Sequence, residues 1–286
     1  GAAYTHAAGV GGHGGEDLER VDAGLAQRFQ EGAWAYFRTQ DQGAVRAFLD
    51  TILLPLASED ETLAADNAAL EAVRDRRAQK AASYFAANAE QWNKIRSLHI
   101  AEQEVERNML EMGLEAKPHS LLDLGTGTGR ILQLFAPHIE RGVGIDASSD
   151  MLALARNEIA TSGINHVQVR QGDVYNLDIG QQFDLIVLHQ VLHYLDDPAL
   201  ALRRAQECLT PSGQVLIVDF APHDFEFLRE EHAHHRLGVS DELMDLWLSE
   251  AGLRVADSRK LKPVETVEAA LGVVLWLVER NPSASD

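Results

Sequence analysis

The stretch Leu121-Leu122-Asp123-Leu124-Gly125-Thr126-Gly127-Thr128-Gly129-Arg130 constrains the fold of this chain more than any other. Its apolar start suits a strand of a parallel sheet covered on both faces. Glycine at every second position then lets the backbone turn tightly and come close to a ligand. A helix beginning after Gly129 would aim its free amides at that ligand. Strand, turn and helix together predict the seat of a nucleoside cofactor. Dinucleotide-binding sheets use a similar turn with the third glycine displaced by one residue, so the decision rests on the residues beyond the turn.

Residues 142–146 read as a second strand ending in Asp146, about 20 residues beyond the turn, where such folds hold ribose hydroxyls. An ionised carboxylate accepts from both hydroxyls. Residues 167–174 read as a third strand ending in a second acid, Asp173. A fourth strand covers 183–188 and leads into His189-Gln190-Val191-Leu192-His193-Tyr194. A fifth covers 214–219, after a turn at Thr210-Pro211-Ser212-Gly213. Residues 150–162 and 198–209 have helical periodicity and capping residues. Residues 253–260 and 272–280 supply two more strands. Strands alternating with helices imply an α/β fold, a doubly wound and mostly parallel sheet.

The G-x-G-x-G turn preceded by an acid, followed by Asp146 and Asp173 in order, resembles the class I S-adenosylmethionine-dependent methyltransferases over residues 81–280. The resemblance implies a Rossmann-like sheet of seven strands with an antiparallel final strand. It implies S-adenosylmethionine as cofactor and S-adenosylhomocysteine as product or effector. It places Asp123, Gly125, Thr126, Gly127 and Gly129 at the cofactor turn. Asp146 falls at the ribose with Ala147 and Met151 beside it, and Gly172, Asp173 and Val174 at the adenine. His189 and Gln190 lie where the reacting methyl would be. Residues 84–92 with 96–99 look like the cap of small-molecule methyltransferases. There Tyr84 and Trp92 would shield the sulfonium by cation–π contact and Arg96 would pair with the methionine carboxylate. Packing of those aromatics on the sheet is the competing explanation.

Methyl transfer from a sulfonium is an in-line displacement, so a protein supplies alignment and, for some acceptors, a base. The candidates on the acceptor side are His189, His193, Asp219 and His223, all beyond carboxyl ends of strands, where open sheets place their ligands. A helix over 230–236 would set Glu231 and His235, and His232 and His235, on one face as metal ligands require. A solvated lid accounts for the same residues, and no metal is expected.

The net charge of −19 gives no overall field that attracts nucleic acid or an anionic membrane. No apolar run reaches the roughly 18 residues that span a bilayer, and no signal-peptide pattern opens the sequence, so a cytoplasmic location is expected. Cys208 is the only cysteine, which excludes an intrachain disulfide and a multi-thiolate metal site.

Four segments are expected: a disordered leader over 1–15, a partial winged helix over 16–58, a helical linker and cofactor cap over 59–113, and the cofactor domain over 114–286. In the second, 26–38 read as a hairpin, and 44–56 place Val45, Phe48, Leu49, Ile52, Leu53 and Leu56 on one helical face. With 21–25 before it, this segment resembles the wing and dimerisation helix of winged-helix regulators of the arsenic-repressor family. The helices that precede the recognition helix in that family are missing from this sequence. Residues 1–58 carry four arginines, no lysine and more acids than bases, so DNA is a partner only for a chain that also has those helices. Two functions are compatible with these features. One is an enzyme methylating a small molecule, with the N-terminal segment as cap or homodimer contact. The alternative is a regulator that senses S-adenosylmethionine or S-adenosylhomocysteine without turnover.

Overall fold

The computed structural model describes residues 6–8, 26–31, 34–39, 61–89, 102–177, 179–262 and 271–282. The chain divides into two units, residues 1–79 and 80–286. In the first, strands β1 (His6–Ala8), β2 (Ala26–Glu31) and β3 (Trp34–Thr39) form an antiparallel sheet in the order β1-β3-β2. The expected hairpin is present, with Ala26 opposite Thr39 and Glu31 opposite Trp34. Its third strand falls in the segment expected to lack structure, and His6 pairs with Phe37. The amphipathic helix expected over 44–56 lies outside the described residues. Helix α1 (Glu61–Asn88) comes next, as the Ala- and Glu-rich composition predicts.

The second unit is a three-layer α/β/α arrangement. After α2 (Glu102–Gly113) come β4 (Ser120–Leu124), α3 (Arg130–Phe135), β5 (Arg141–Asp146), α4 (Ser149–Thr161), β6 (Val167–Gln171) and β7 (Phe183–His189). The chain continues through α5 (Pro198–Glu207), β8 (Leu209–Phe220), α6 (Phe227–Glu231), α7 (Asp241–Glu250), β9 (Leu253–Leu261) and β10 (Val273–Arg280). The sheet order is β6-β5-β4-β7-β8-β10-β9. Strands β4 to β8 are mutually parallel, and β10 runs antiparallel to both neighbours.

Alternate side chains of each central strand feed opposite layers, as a period of two demands. Leu122 and Leu124, Ile186 and Leu188, and Val215 and Ile217 join one cluster with Leu202 of α5 and Trp247 of α7. Leu121, Leu185, Val187, Leu216 and Val218 join the other with Met109 of α2 and Phe135 of α3. Both faces being covered is why these strands read as unbroken apolar runs.

Two expectations about strand ends are corrected. β6 stops at Gln171, so Asp173 sits in a turn, where its Oδ1 accepts from the Tyr175 amide at 2.9 Å. The turn expected at 210–213 lies inside β8 as a bulge. Phe183 pairs with Leu209 but Leu185 with Gln214, and Thr210 Oγ1 donates to Asp184 at 3.2 Å.

Candidate active site

The cofactor turn is built by tying the end of β4 to the end of β5. The amides of Gly125 and Thr126 donate to the Ile145 carbonyl at 2.8 and 3.0 Å. Thr126 Oγ1 donates to the buried Asp123 Oδ2 at 2.6 Å. Gly144 makes room for this, since a Cβ there would lie 2.6 Å from Thr126 Oγ1. Gly125, Gly127 and Gly129 have φ of +74°, +52° and +79°, which side chains with a Cβ rarely adopt. Arg130, the first residue of α3, grips Glu106 of α2 through two bonds of 2.7 and 2.6 Å, fixing the helix that starts at the turn.

Asp146 faces this turn from the end of β5. Its Oδ2 accepts from the Gly127 amide and its Oδ1 from the Ser148 amide, both at 2.8 Å. Burial pushes its carboxyl upward, and the amides of Ser148, Gly127 and Ala147 oppose that shift. Each oxygen keeps a lone pair for a hydroxyl. Ser148 caps α4 by accepting from the Met151 amide, and Met151 is buried. The Gly172 amide donates to the Asp146 carbonyl at 3.0 Å, which brings the β6 end and its neighbours Asp173 and Val174 to the same rim. Beyond β7, Gln190 has a left-handed backbone (φ +56°), and its buried amide nitrogen Nε2 has no bonding partner. A left-handed turn, backbone amides beside a carboxylate with spare lone pairs, and an orphaned side-chain amide fit a nucleoside cofactor.

The acceptor side lies past the ends of β7 and β8. His193 sits on a 3₁₀ turn over Leu192–Tyr194, and its Nδ1 donates to Asp219 Oδ1 at 2.7 Å. The two side chains are 1% and 0% exposed. Asp219 also accepts from the amides of Phe220 and His193, at 2.8 and 3.3 Å. His234 lies 4.2 Å from the His193 ring and stacks on Phe220 at 5.7 Å. His223 meets Phe220 edge-on at 6.3 Å. His193 Nε2, His223 Nε2 and His234 Nδ1 are buried and without a hydrogen-bond partner. Burial, reinforced by the charge His193 can carry, lowers His223 to about 4 and drives His234 well below the ordinary imidazole value.

Of the expected site residues, the structure thus gathers His193, Asp219 and His223, and adds His234, which sequence reasoning left inside a solvated lid. His189 closes β7 and is buried. Tyr84 comes to this cluster: its hydroxyl and His232 Nδ1 share a hydrogen bond of 2.7 Å, and burial raises the hydroxyl to about 12. Its neighbour Phe85 meets Tyr194 edge-on at 4.9 Å. Trp92 and Arg96 lie outside the described residues. The helical face that metal ligation by Glu231 and His235 would require does not form, because α6 ends at Glu231 and Ala233 has a left-handed backbone (φ +57°). His235 instead lies 3.3 Å from Asp196. Among the described residues no cluster of His, Cys, Asp and Glu is arranged to hold a metal.

A family profile described as methyltransferase domain matches residues 116–262, just over half of the chain. An uncharacterized methyltransferase, YcgJ, of Bacillus subtilis is 31% identical over 108 residues, which are 37% of this chain and 43% of the relative. A demethylmenaquinone methyltransferase of Thermotoga maritima is 33% identical over 120 residues, 41% of this chain and 50% of the relative. The chain therefore spans about half the length of these curated relatives. Among solved structures, NodS, an N-methyltransferase of Bradyrhizobium japonicum in complex with S-adenosylhomocysteine, superposes with a TM-score of 0.52 at 22% identity. That match covers 63% of this chain and 87% of NodS. YcgJ superposes at 0.52 and 19% identity, over 62% of this chain and 97% of YcgJ. The profile covers none of residues 1–115, so the resemblance of 16–58 to a winged helix gains nothing from it.

Proposed function

The chain belongs to the methyltransferase domain family, and from that membership we propose that it moves a methyl group from S-adenosylmethionine to a small-molecule acceptor held beyond β7 and β8. The observation that carries the reading is the pairing of the glycine turn with Asp146 on one side of the β4 end and the unpartnered imidazoles on the other. Bound there, S-adenosylmethionine supplies an activated methyl on a positively charged sulfur. The turn of Gly125, Gly127 and Gly129 admits the cofactor close to the backbone, with Asp123 and Thr126 holding that turn in shape. Asp146 receives the ribose hydroxyls, with Ala147 and Met151 lining the same wall. Gly172, Asp173 and Val174 bound the adenine. His189 and Gln190 lie between this half and the acceptor half.

The regulator alternative asks only for cofactor binding and leaves three buried imidazole nitrogens without a purpose. A polar acceptor accounts for them, because buried polar atoms are ordinarily hydrogen-bonded. We assign residues 16–58 to a homodimer contact, in line with the acidic balance of residues 1–58. The test is calorimetric titration with S-adenosylhomocysteine, followed by mass analysis of turnover on mixed small-molecule acceptors. Submillimolar binding with acceptor-dependent release of S-adenosylhomocysteine is the expected result. Absence of binding by the folded chain rejects the reading.

A further inference from the structure

The chemistry of the acceptor half narrows what it can receive. Its unpartnered polar atoms are imidazole nitrogens with ring neighbours: Phe220, Tyr194 and the flanking imidazoles meet at centroid separations of 4.1–5.7 Å. Flat walls of this kind favour a planar ligand by stacked or edge-on contact. The nearby cations are committed to backbone carbonyls. Arg229 donates to His235, and Arg236 to Leu195 and Asp196. Arg236 also covers the Trp247 ring at 5.3 Å. A phosphate or carboxylate on the acceptor would meet no uncommitted cation among these residues, and a burial this deep disfavours an unpaired charge.

Of His193, His223 and His234, only His193 is bonded to a carboxylate. Asp219 accepts from Nδ1, which fixes the tautomer and leaves the Nε2 lone pair as the basic atom. The groups facing His193 are Asp219 from β8, Tyr194 on its own turn, and His223 and His234 from the segment after β8. His193 has Asp219 hydrogen-bonded to its Nδ1, whereas neither His223 nor His234 has a hydrogen-bonded carboxylate, and at His223 burial outweighs the more distant charges of Asp224 and Asp219. Imidazoles, ordinarily at about 6.5, are matched to a phenol at about 10, not to a far weaker aliphatic hydroxyl. A neutral amine already has its lone pair and needs no base before attack.

Resting on the methyltransferase reading above, we infer that the acceptor is a hydroxyl on an aromatic ring and that His193, held by Asp219, takes its proton. The O–H bond breaks as the proton passes to His193 Nε2. The acceptor oxygen forms a bond to the methyl carbon, the carbon–sulfur bond breaks, and its electron pair stays on sulfur in S-adenosylhomocysteine. The imidazolium, paired with Asp219, then returns its proton to solvent. Product is an aryl methyl ether. His223 and His234 remain neutral and direct the acceptor's remaining polar substituents.

The test uses the full chain saturated with S-adenosylhomocysteine and two probes, 4-nitrophenol and 4-nitrocatechol, whose phenolates absorb visible light. At a pH about one unit below each probe's own pKa, we expect bound probe to show the phenolate band. His193→Gln should bind S-adenosylhomocysteine as before, abolish that band and weaken the probe by roughly tenfold or more. Asp219→Asn should keep S-adenosylhomocysteine binding and move the band to higher pH. The wild-type spectrum alone decides if either variant fails to fold. Bound probe without the band, or a band retained in His193→Gln, overturns the base assignment. S-adenosylhomocysteine binding without any probe binding overturns the aromatic acceptor while leaving the methyltransferase reading intact. Failure to bind S-adenosylhomocysteine overturns both.

Discussion

At the scale of single residues, the two halves of the site depend on differently placed charges. Asp146 sits where two backbone amides already hold its oxygens, so it is oriented before any ligand arrives. Asp146→Ala should weaken S-adenosylhomocysteine by roughly 10- to 100-fold, the worth of hydrogen bonds to a charged acceptor. Calorimetry on a variant with an unchanged circular dichroism spectrum checks this, and unchanged affinity rejects the ribose assignment. The acceptor half instead depends on histidines kept uncharged. His223 and His234 have folded values below the unfolded 6.5. The unfolded chain therefore binds more protons, and stability falls as pH drops below about 6.5, reaching the His223 value at about 4. Each such histidine steepens the fall by up to about 1.4 kcal/mol per pH unit. Urea midpoints measured from pH 7 to 4.5 should fall less in His234→Gln than in wild type, and equal slopes would refute the burial argument. Asp123, Asp146 and the glycines were legible in the sequence because their spacing is dictated by a turn between two adjacent strands. The Asp219 partner of His193 was not, because His193 lies on the turn after β7 and Asp219 near the end of β8, and only the parallel pairing of β7 with β8 brings them together.

At the scale of elements, the sequence was clearest where a strand is buried on both faces. β4, β5, β7 and β10 begin and end within a residue or two of their apolar runs. It was least clear where the backbone takes positions no periodicity announces. Helix α6 stops at Glu231, and the chain beyond it winds back so that the amides of His235 and Arg236 donate to the His193 carbonyl at 2.9 and 3.2 Å. These bonds hold the segment bearing His234 to the turn bearing His193. Gly238 lets that segment return to the sheet, with φ of +86° and space for a Cβ only 2.2 Å from the Ala221 carbonyl oxygen. Gly238→Ala should therefore cost about 1–3 kcal/mol and displace His223 and His234. Urea denaturation reads the cost. Retained S-adenosylhomocysteine binding with lost nitrophenol binding is the expected signature, since the glycine turn lies on other strands. Tyr84, expected as a cofactor shield, has its hydroxyl bonded to His232 in the segment after β8, a contact between residues 148 apart that no local pattern announces.

At the scale of the whole molecule, the residues of the cofactor half and the acceptor half all fall within residues 80–286. Among the described residues no helix is long and apolar enough to cross a membrane. Removing residues 1–58 should leave S-adenosylhomocysteine affinity within about twofold and convert a dimer to a monomer, given the apolar face read for 44–56. Sedimentation velocity at several concentrations checks it, and a dimer persisting in the shortened chain rejects that contact. The seat of β10 has a further consequence. It lies between β8 and β9, bonded to both, and buries Trp276 and five neighbouring apolar side chains. Order of synthesis and order of assembly therefore disagree: β9 emerges first and has no strand to lie against until the segment after it has been made. Until then the open flank of β8 is an adhesive margin, ready to pair with any extended chain it meets. The interval before residue 280 is complete is accordingly when this protein is most exposed to its neighbours in a crowded cell.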